Sequence, residues 1–149
     1  AIRLSINDLW LKESLDLYSS LGLSVNEGRV LVTGQVPTPE ARVTAIRLVW
    51  QVDGVREVIN EVAVAESDGI SGYARDAWIT TQLRTRLTFD TSLRAINYSV
   101  ETVGGTIYLM GVAQDQAELD RVIAHARQIP YVRQVISYVR MKDEAPATA

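Results

Sequence analysis

The sequence predicts an α+β fold made of two tandem αββαβ units, each a three-stranded mixed sheet packed against two helices. Three observations carry this reading. A block from Gly34 to Val62 returns without a gap 77 residues later, placing Gly34, Ile46, Val55, Val58, Ile59 and Val62 on Gly111, Ile123, Val132, Val135, Ile136 and Val139. Upstream, at a spacing of 68, Asp8-Leu9-Trp10-Leu11 with Leu15 falls on Asp76-Ala77-Trp78-Ile79 with Leu83. Within each copy, segments with apolar residues four apart alternate with segments of period two. The units are residues 1–66 and 73–142, with a short linker at 67–72 and a tail at 143–149 that has nothing to bury and reads as disordered.

In the first copy, Leu11, Leu15 and Tyr18 form the expected core stripe of helix one, after a cap between Ser5 and Asp8. Strands at Leu21 to Val25 and Arg29 to Val36 flank an Asn26-Glu27-Gly28 turn. Helix two opens with Thr38 as cap and Pro39 at its first position, where a missing N–H costs nothing. Gly54-Val55 ends it and launches the last strand, to Val64.

The second copy uses the same grammar. Helix one spans Tyr73 to Leu87, with Ile79, Leu83 and Leu87 stacked on one face. Strands at Asn97 to Thr102 and Thr106 to Val112 are joined by Gly104-Gly105, a turn that asks for positive φ angles. Asp115 and Glu118 suggest a reciprocal cap for helix two, which presents Leu119, Val122, Ile123 and Ala126 to the core and is limited by Pro130. The last strand runs from Val132 to Met141. The difference between the two spacings implies nine extra residues in this copy, around Thr88 to Ala95.

Composition narrows the function. Of 149 residues, 47% are hydrophobic and 22% charged, as in ordinary soluble domains. Each unit lies near the lower size limit for an independent core, and there is no cysteine to staple it or to supply a thiolate. A net charge of −3 argues against nucleic acid as a general partner. No apolar run approaches the roughly 18 residues that would span a bilayer.

Catalytic groups are scarce. The only histidine, His125, lies 60° to 160° from the core-facing residues of its helix and is expected on the surface. A zinc site would need carboxylates alone, so no metal and no cofactor are assigned. Glu57 and Glu61 share one face of a strand and read as a solvated edge. No serine sits in a nucleophile elbow, and Gly104-Gly105 precedes a strand rather than the helix N-terminus that a phosphate loop requires. The chain reads as a non-enzyme with no catalytic residues.

The copies differ most on helix one. On a helical wheel Trp78 lies about 140° from the core direction at Leu83, beside Thr81, Gln82 and Thr85 and flanked by Arg75 and Arg86. The stripe that holds the helix to its sheet does not explain a tryptophan there. Either the insertion or the first unit covers it, or it anchors something external. An indole suits a membrane interface, its ring apolar and its N–H hydrated.

Charge points the same way. Residues 1–67 carry six Lys and Arg against nine Asp and Glu, whereas residues 71–142 carry nine against six. Only the second copy suits an anionic surface. In the first, Ile6, Leu9, Trp10 and Leu17 form an apolar face opposite the expected core stripe. They read as a packing surface for the neighbouring unit, another subunit or a protein partner, with Ile6, Trp10 and Leu17 as its interaction residues.

Each unit resembles a BON domain. The resemblance rests on the glycine that ends strand two (Gly34, Gly111) and on the step into the last strand, Gly54-Val55-Arg56-Glu57-Val58 and Tyr131-Val132-Arg133-Gln134-Val135. In the second copy Tyr131 replaces the usual glycine, a departure that touches a turn. Asp76 to Arg84, together with Ile107-Tyr108-Leu109-Met110-Gly111, looks like the dual-BON outer-membrane lipoproteins of the DolP type.

The resemblance implies a non-enzymatic periplasmic protein, peripheral to or lipid-anchored at the outer membrane, that supports envelope integrity. It also implies contact between helix one of the second domain and anionic phospholipid such as phosphatidylglycerol. The matching residue is Trp78, with Arg75, Gln82, Thr85 and Arg86 in the surrounding surface. A lipoprotein of this kind carries an acylated cysteine, which would have to lie upstream of Ala1.

Overall fold

Turn and cap chemistry sets the strand and helix boundaries of both copies. A computed structural model describes residues 1–66 and 69–142, which form two compact units, 1–66 and 69–142. In the first unit the order is α1 (Ile2–Glu13), α2 (Leu15–Ser20), β1 (Leu21–Asn26), β2 (Arg29–Val36), α3 (Pro39–Trp50) and β3 (Glu57–Val64). In the second it is α4 (Gly69–Phe89), a 3₁₀ turn (Ala95–Asn97), β4 (Tyr98–Val103), β5 (Thr106–Ala113), α5 (Gln116–Arg127) and β6 (Gln134–Met141). Each sheet is mixed: β2 pairs antiparallel with β1 and parallel with β3, and β5 does the same with β4 and β6.

Local chemistry explains the boundaries. Thr38 Oγ1 accepts from Ala41 N at 3.1 Å and Pro39 starts α3. Asp115 Oδ1 accepts from Glu118 N at 2.9 Å at the head of α5, while the Glu118 carboxylate reaches back to Gln114 N rather than to Asp115 N. Gly104 and Gly105 both have positive φ, closing a two-residue hairpin in the β4–β5 register. Gly34 and Gly111 answer a steric demand. A Cβ on Gly34 would lie 2.2 Å from Ser20 O, and one on Gly111 would lie 2.0 Å from Asn97 O.

The second core follows the expected pattern: Ile79, Leu83 and Leu87 from α4 meet Val100, Ile107 and Leu109 from the sheet and Leu119, Val122 and Ala126 from α5. Helix α4 is longer than expected and takes in Gly69 to Gly72, where the composition suggested linker. Residues 67 and 68 and the tail at 143–149 lie outside the described residues.

The first core inverts the expected face of helix one. Ile6, Trp10 and Leu17 are buried inside their own unit with Leu23, Val30, Val32 and Ala45, while Leu11, Leu15 and Tyr18 are exposed. Ser14 adopts an extended conformation, its side chain accepts from Leu17 N at 3.1 Å, and it splits one helix into α1 and α2. The buried residues stay in phase across the break, Ile6, Trp10 and Leu17 falling within about 40° of one another on a single wheel, so helical phase offers two apolar faces and burial selects this one.

The repeat of Trp10 and Trp78 is therefore not a structural equivalence. Trp10 is 0% exposed and its indole N–H donates to Ala45 O at 3.1 Å. Burial aligns Ile6 and Trp10 with Ile79 and Leu83 instead. The residues proposed for protein contact, Ile6, Trp10 and Leu17, are core residues.

Candidate membrane-contact site

Helix α4 is held to its sheet by contacts that leave one face outward. The Asp76 carboxylate accepts from Gly104 N at 2.9 Å and Gly105 N at 3.0 Å, clipping the first half of the helix to the β4–β5 hairpin. Further along, the Thr80 and Thr102 hydroxyls bond at 2.7 Å. With Ile79, Leu83 and Leu87 inward, geometry turns Trp78, Gln82 and Thr85 away from the core.

Trp78 is 42% exposed. The residue that meets it is Tyr131, from the loop between α5 and β6, with ring centroids 6.1 Å apart at 72°, an edge-to-face contact. The Arg75 guanidinium lies over the Tyr131 ring, 5.1 Å from its centroid. Each contact contributes about 0.5–1.5 kcal/mol. Arg75 and Trp78 are thus joined through a residue that the sequence argument assigned only to a turn.

Tyr131 has φ +73°, in the left-handed region. Its counterpart, Gly54, has φ +95°. The loop hydrogen bonds are the same in both copies: Arg56 N donates to Gly28 O at 2.8 Å and Arg133 N to Gly105 O at 2.9 Å, with Val55 N to Val52 O and Val132 N to Ile129 O at 3.4 Å. The turn needs a left-handed residue in each. Glycine supplies it without strain, whereas a tyrosine costs about 1–2 kcal/mol.

The other expected residues spread along the helix. Gln82 is half-buried and Thr85 exposed. Arg86 does not point freely outward, because its Nη1 donates to Gln128 Oε1 at 2.9 Å at the end of α5. Phe89 falls within about 20° of Trp78 on the helical wheel, some 16 Å along the axis, and is 80% exposed. It extends the outward stripe to Trp78, Gln82, Thr85 and Phe89. Its position two residues past the expected helix end hid it from the sequence argument.

The extra residues of the second copy form a closed loop built on Asp90. Its buried carboxylate accepts from Ser92 Oγ at 2.6 Å, Ser92 N at 3.0 Å, His125 Nε2 at 2.7 Å and Arg121 Nε. The Ser92 hydroxyl first, then His125 and Arg121, hold this carboxyl well below the usual carboxylate range. His125 is therefore half-buried and partnered, not a free surface residue. A shallow cleft of about 460 Å³ lies here, lined by Thr85, Arg86, Phe89, Asp90, Arg121 and His125. Nearby, burial and the Glu118 carboxylate push the Tyr98 phenol up. Among the described residues no helix is long and apolar enough to cross a membrane, and no three His, Asp or Glu side chains converge as metal ligands.

The BON domain family model matches twice, at residues 2–66 and 75–143. The chain belongs to the BON domain family. Among its relatives is an Anaplasma centrale protein described as the uncharacterized protein in the gshII 5′ region, 44% identical over 127 residues, covering 85% of this chain and 84% of that one. The outer membrane lipoprotein DolP of Haemophilus influenzae is 35% identical over 117 residues, covering 78% of this chain and 60% of the lipoprotein. The 21 kDa hemolysin of Actinobacillus pleuropneumoniae is 31% identical over 135 residues, covering 89% and 68%. Within the two matched units Gly34 and Gly111 occupy equivalent places, each meeting a backbone oxygen at the start of the first strand. Tyr131 stands in the second unit where the first has Gly54.

Proposed function

We propose that this protein is a non-enzymatic component of the bacterial cell envelope that binds the anionic phospholipid surface through α4 of its second BON unit and supports outer-membrane integrity. The observation that carries the reading is the outward Trp78 on α4, flanked by Arg75. Similarity to a protein named as an outer membrane lipoprotein supports the envelope assignment. The same similarity supports the proposal of a periplasmic location at the outer membrane.

Magnitudes make the interaction weak and reversible. A tryptophan presents about 250 Å², and 42% of Trp78 is exposed. Burying that roughly 100 Å² contributes about 2.5 kcal/mol at most. Arg75 near an anionic leaflet adds about 1 kcal/mol. Lasting residence at the membrane needs a second signal, such as an acyl chain.

The test is co-sedimentation with phosphatidylglycerol-containing vesicles against pure phosphatidylcholine vesicles. Binding to the former that weakens as salt rises supports the reading. Equal binding to both, or to neither, overturns it.

A second reading, self-association or contact with an envelope protein, moves to new residues. Leu4, Leu11, Leu15 and Tyr18 are exposed along α1 and α2. It expects concentration-dependent oligomers that Leu11→Glu with Leu15→Glu dissolves, and a monomer at every concentration with no partner counts against it.

A further inference from the structure

We infer that Tyr131 is a second membrane-contact residue, so that the lipid surface of this protein spans two elements, α4 and the loop between α5 and β6. The inference rests on the proposed phospholipid reading and extends it to a residue outside the helix. Its occupant is the interfacial layer of an anionic bilayer.

Fold requirements alone do not put a tyrosine at this place. The first copy closes the same loop, with the same two backbone hydrogen bonds, using Gly54. The second copy holds a large side chain in the left-handed region and leaves it 64% exposed. The contacts with Trp78 and Arg75 offset the strain, but they leave most of the ring in solvent, and a strained, exposed aromatic points to a contact beyond the fold.

The ring's position names the ligand chemistry. Tyr131 lies edge-on to Trp78 and beneath the Arg75 guanidinium. An indole and a phenol side by side, each apolar with one polar tip, fit the depth of lipid headgroups and glycerol. The Arg75 charge beside them matches a phosphate, and its contact with the ring keeps it there before lipid arrives. Asp76, next along the helix, does not oppose this, since its carboxylate is turned to the hairpin amides. A protein partner would be met by the same rings, but the flanking arginine and the basic balance of this unit favour the anionic surface.

The experiment compares wild type, Tyr131→Gly, Tyr131→Asn and Trp78→Ala for binding to phosphatidylglycerol vesicles, at a temperature where circular dichroism shows every variant folded. Glycine keeps the left-handed backbone without strain and asparagine tolerates it, so both preserve the loop. The expected result is a melting temperature within a few degrees of wild type and affinity lowered about tenfold in both Tyr131 variants. Wild-type affinity in both Tyr131 variants with weakened binding by Trp78→Ala overturns the role of Tyr131 and leaves the α4 reading standing. Wild-type affinity in all three overturns both. A melting temperature lowered by ten degrees or more with affinity unchanged makes Tyr131 a packing residue only.

Discussion

Replacing each of the two tryptophans with alanine is expected to damage a different property. The Trp10 side chain is fully buried and its N–H is bonded to Ala45 O. Truncation costs about 3–5 kcal/mol for the lost transfer and the cavity, and the lost hydrogen bond adds about 1 kcal/mol. A unit of some 66 residues holds only about 3–10 kcal/mol in total. Trp10→Ala should therefore remove most of the first unit's stability.

Trp78 is 42% exposed, and the part already covered is worth roughly 3 kcal/mol, so Trp78→Ala should cost about 2–3 kcal/mol, less than Trp10→Ala. Its effect should fall on vesicle affinity instead, where partial insertion of the exposed ring is worth about tenfold. Urea unfolding followed by circular dichroism reads the first effect and vesicle co-sedimentation the second. If Trp78→Ala destabilised the protein more than Trp10→Ala, the placement of the two residues would be wrong.

Three further outcomes follow from particular contacts. Gly111→Ala drives a Cβ to 2.0 Å from Asn97 O at a φ of +141°, so the second unit should lose at least about 3 kcal/mol by urea titration. Asp76→Ala removes two charge-assisted bonds to the hairpin amides, and a loss of about 2–3 kcal/mol is expected, with faster amide exchange at Gly104 and Gly105. Asp90 has its carboxyl held below the ordinary value of 3.8, so unfolding takes up a proton in acid. Its stabilising contribution is present above that value and is lost as pH falls toward the folded one. Asp90→Asn should lower the melting temperature of the second unit at neutral pH and flatten its decline below pH of about 4; an unchanged acid slope would show that Asp90 is not the group responsible.

The fold was legible where local chemistry decides it. The Thr38-Pro39 and Asp115 helix starts, the Gly104-Gly105 hairpin and the Ile79, Leu83, Leu87 stripe all stand as the residues suggested. The first helix offers two apolar faces, each in phase, Ile6, Trp10 and Leu17 against Leu11, Leu15 and Tyr18, and the exposed one was taken for the core. The repeated tryptophans reinforced the error: a four-residue match in sequence outweighed burial, which could not be seen. His125 was missed as the partner of a buried carboxylate because Asp90 lies 35 residues away in sequence, in the inserted loop.

The candidate site was half legible. Trp78 and Arg75 follow from helical phase and charge. Tyr131 was visible as a departure from glycine, but its meaning depends on two facts of the third dimension. The loop keeps its left-handed turn despite the substitution, and that turn delivers the ring to Trp78.

The most direct test of the central claim is the depth of Trp78 in an anionic bilayer. In a Trp50→Phe variant only the buried Trp10 and the outward Trp78 remain, and vesicles of phosphatidylglycerol with brominated acyl chains quench only an indole that reaches them. The account predicts a blue shift and partial quenching that disappear when Trp78 is also changed to phenylalanine. Fluorescence that is unmoved by those vesicles, or quenching that survives the loss of Trp78, would contradict it.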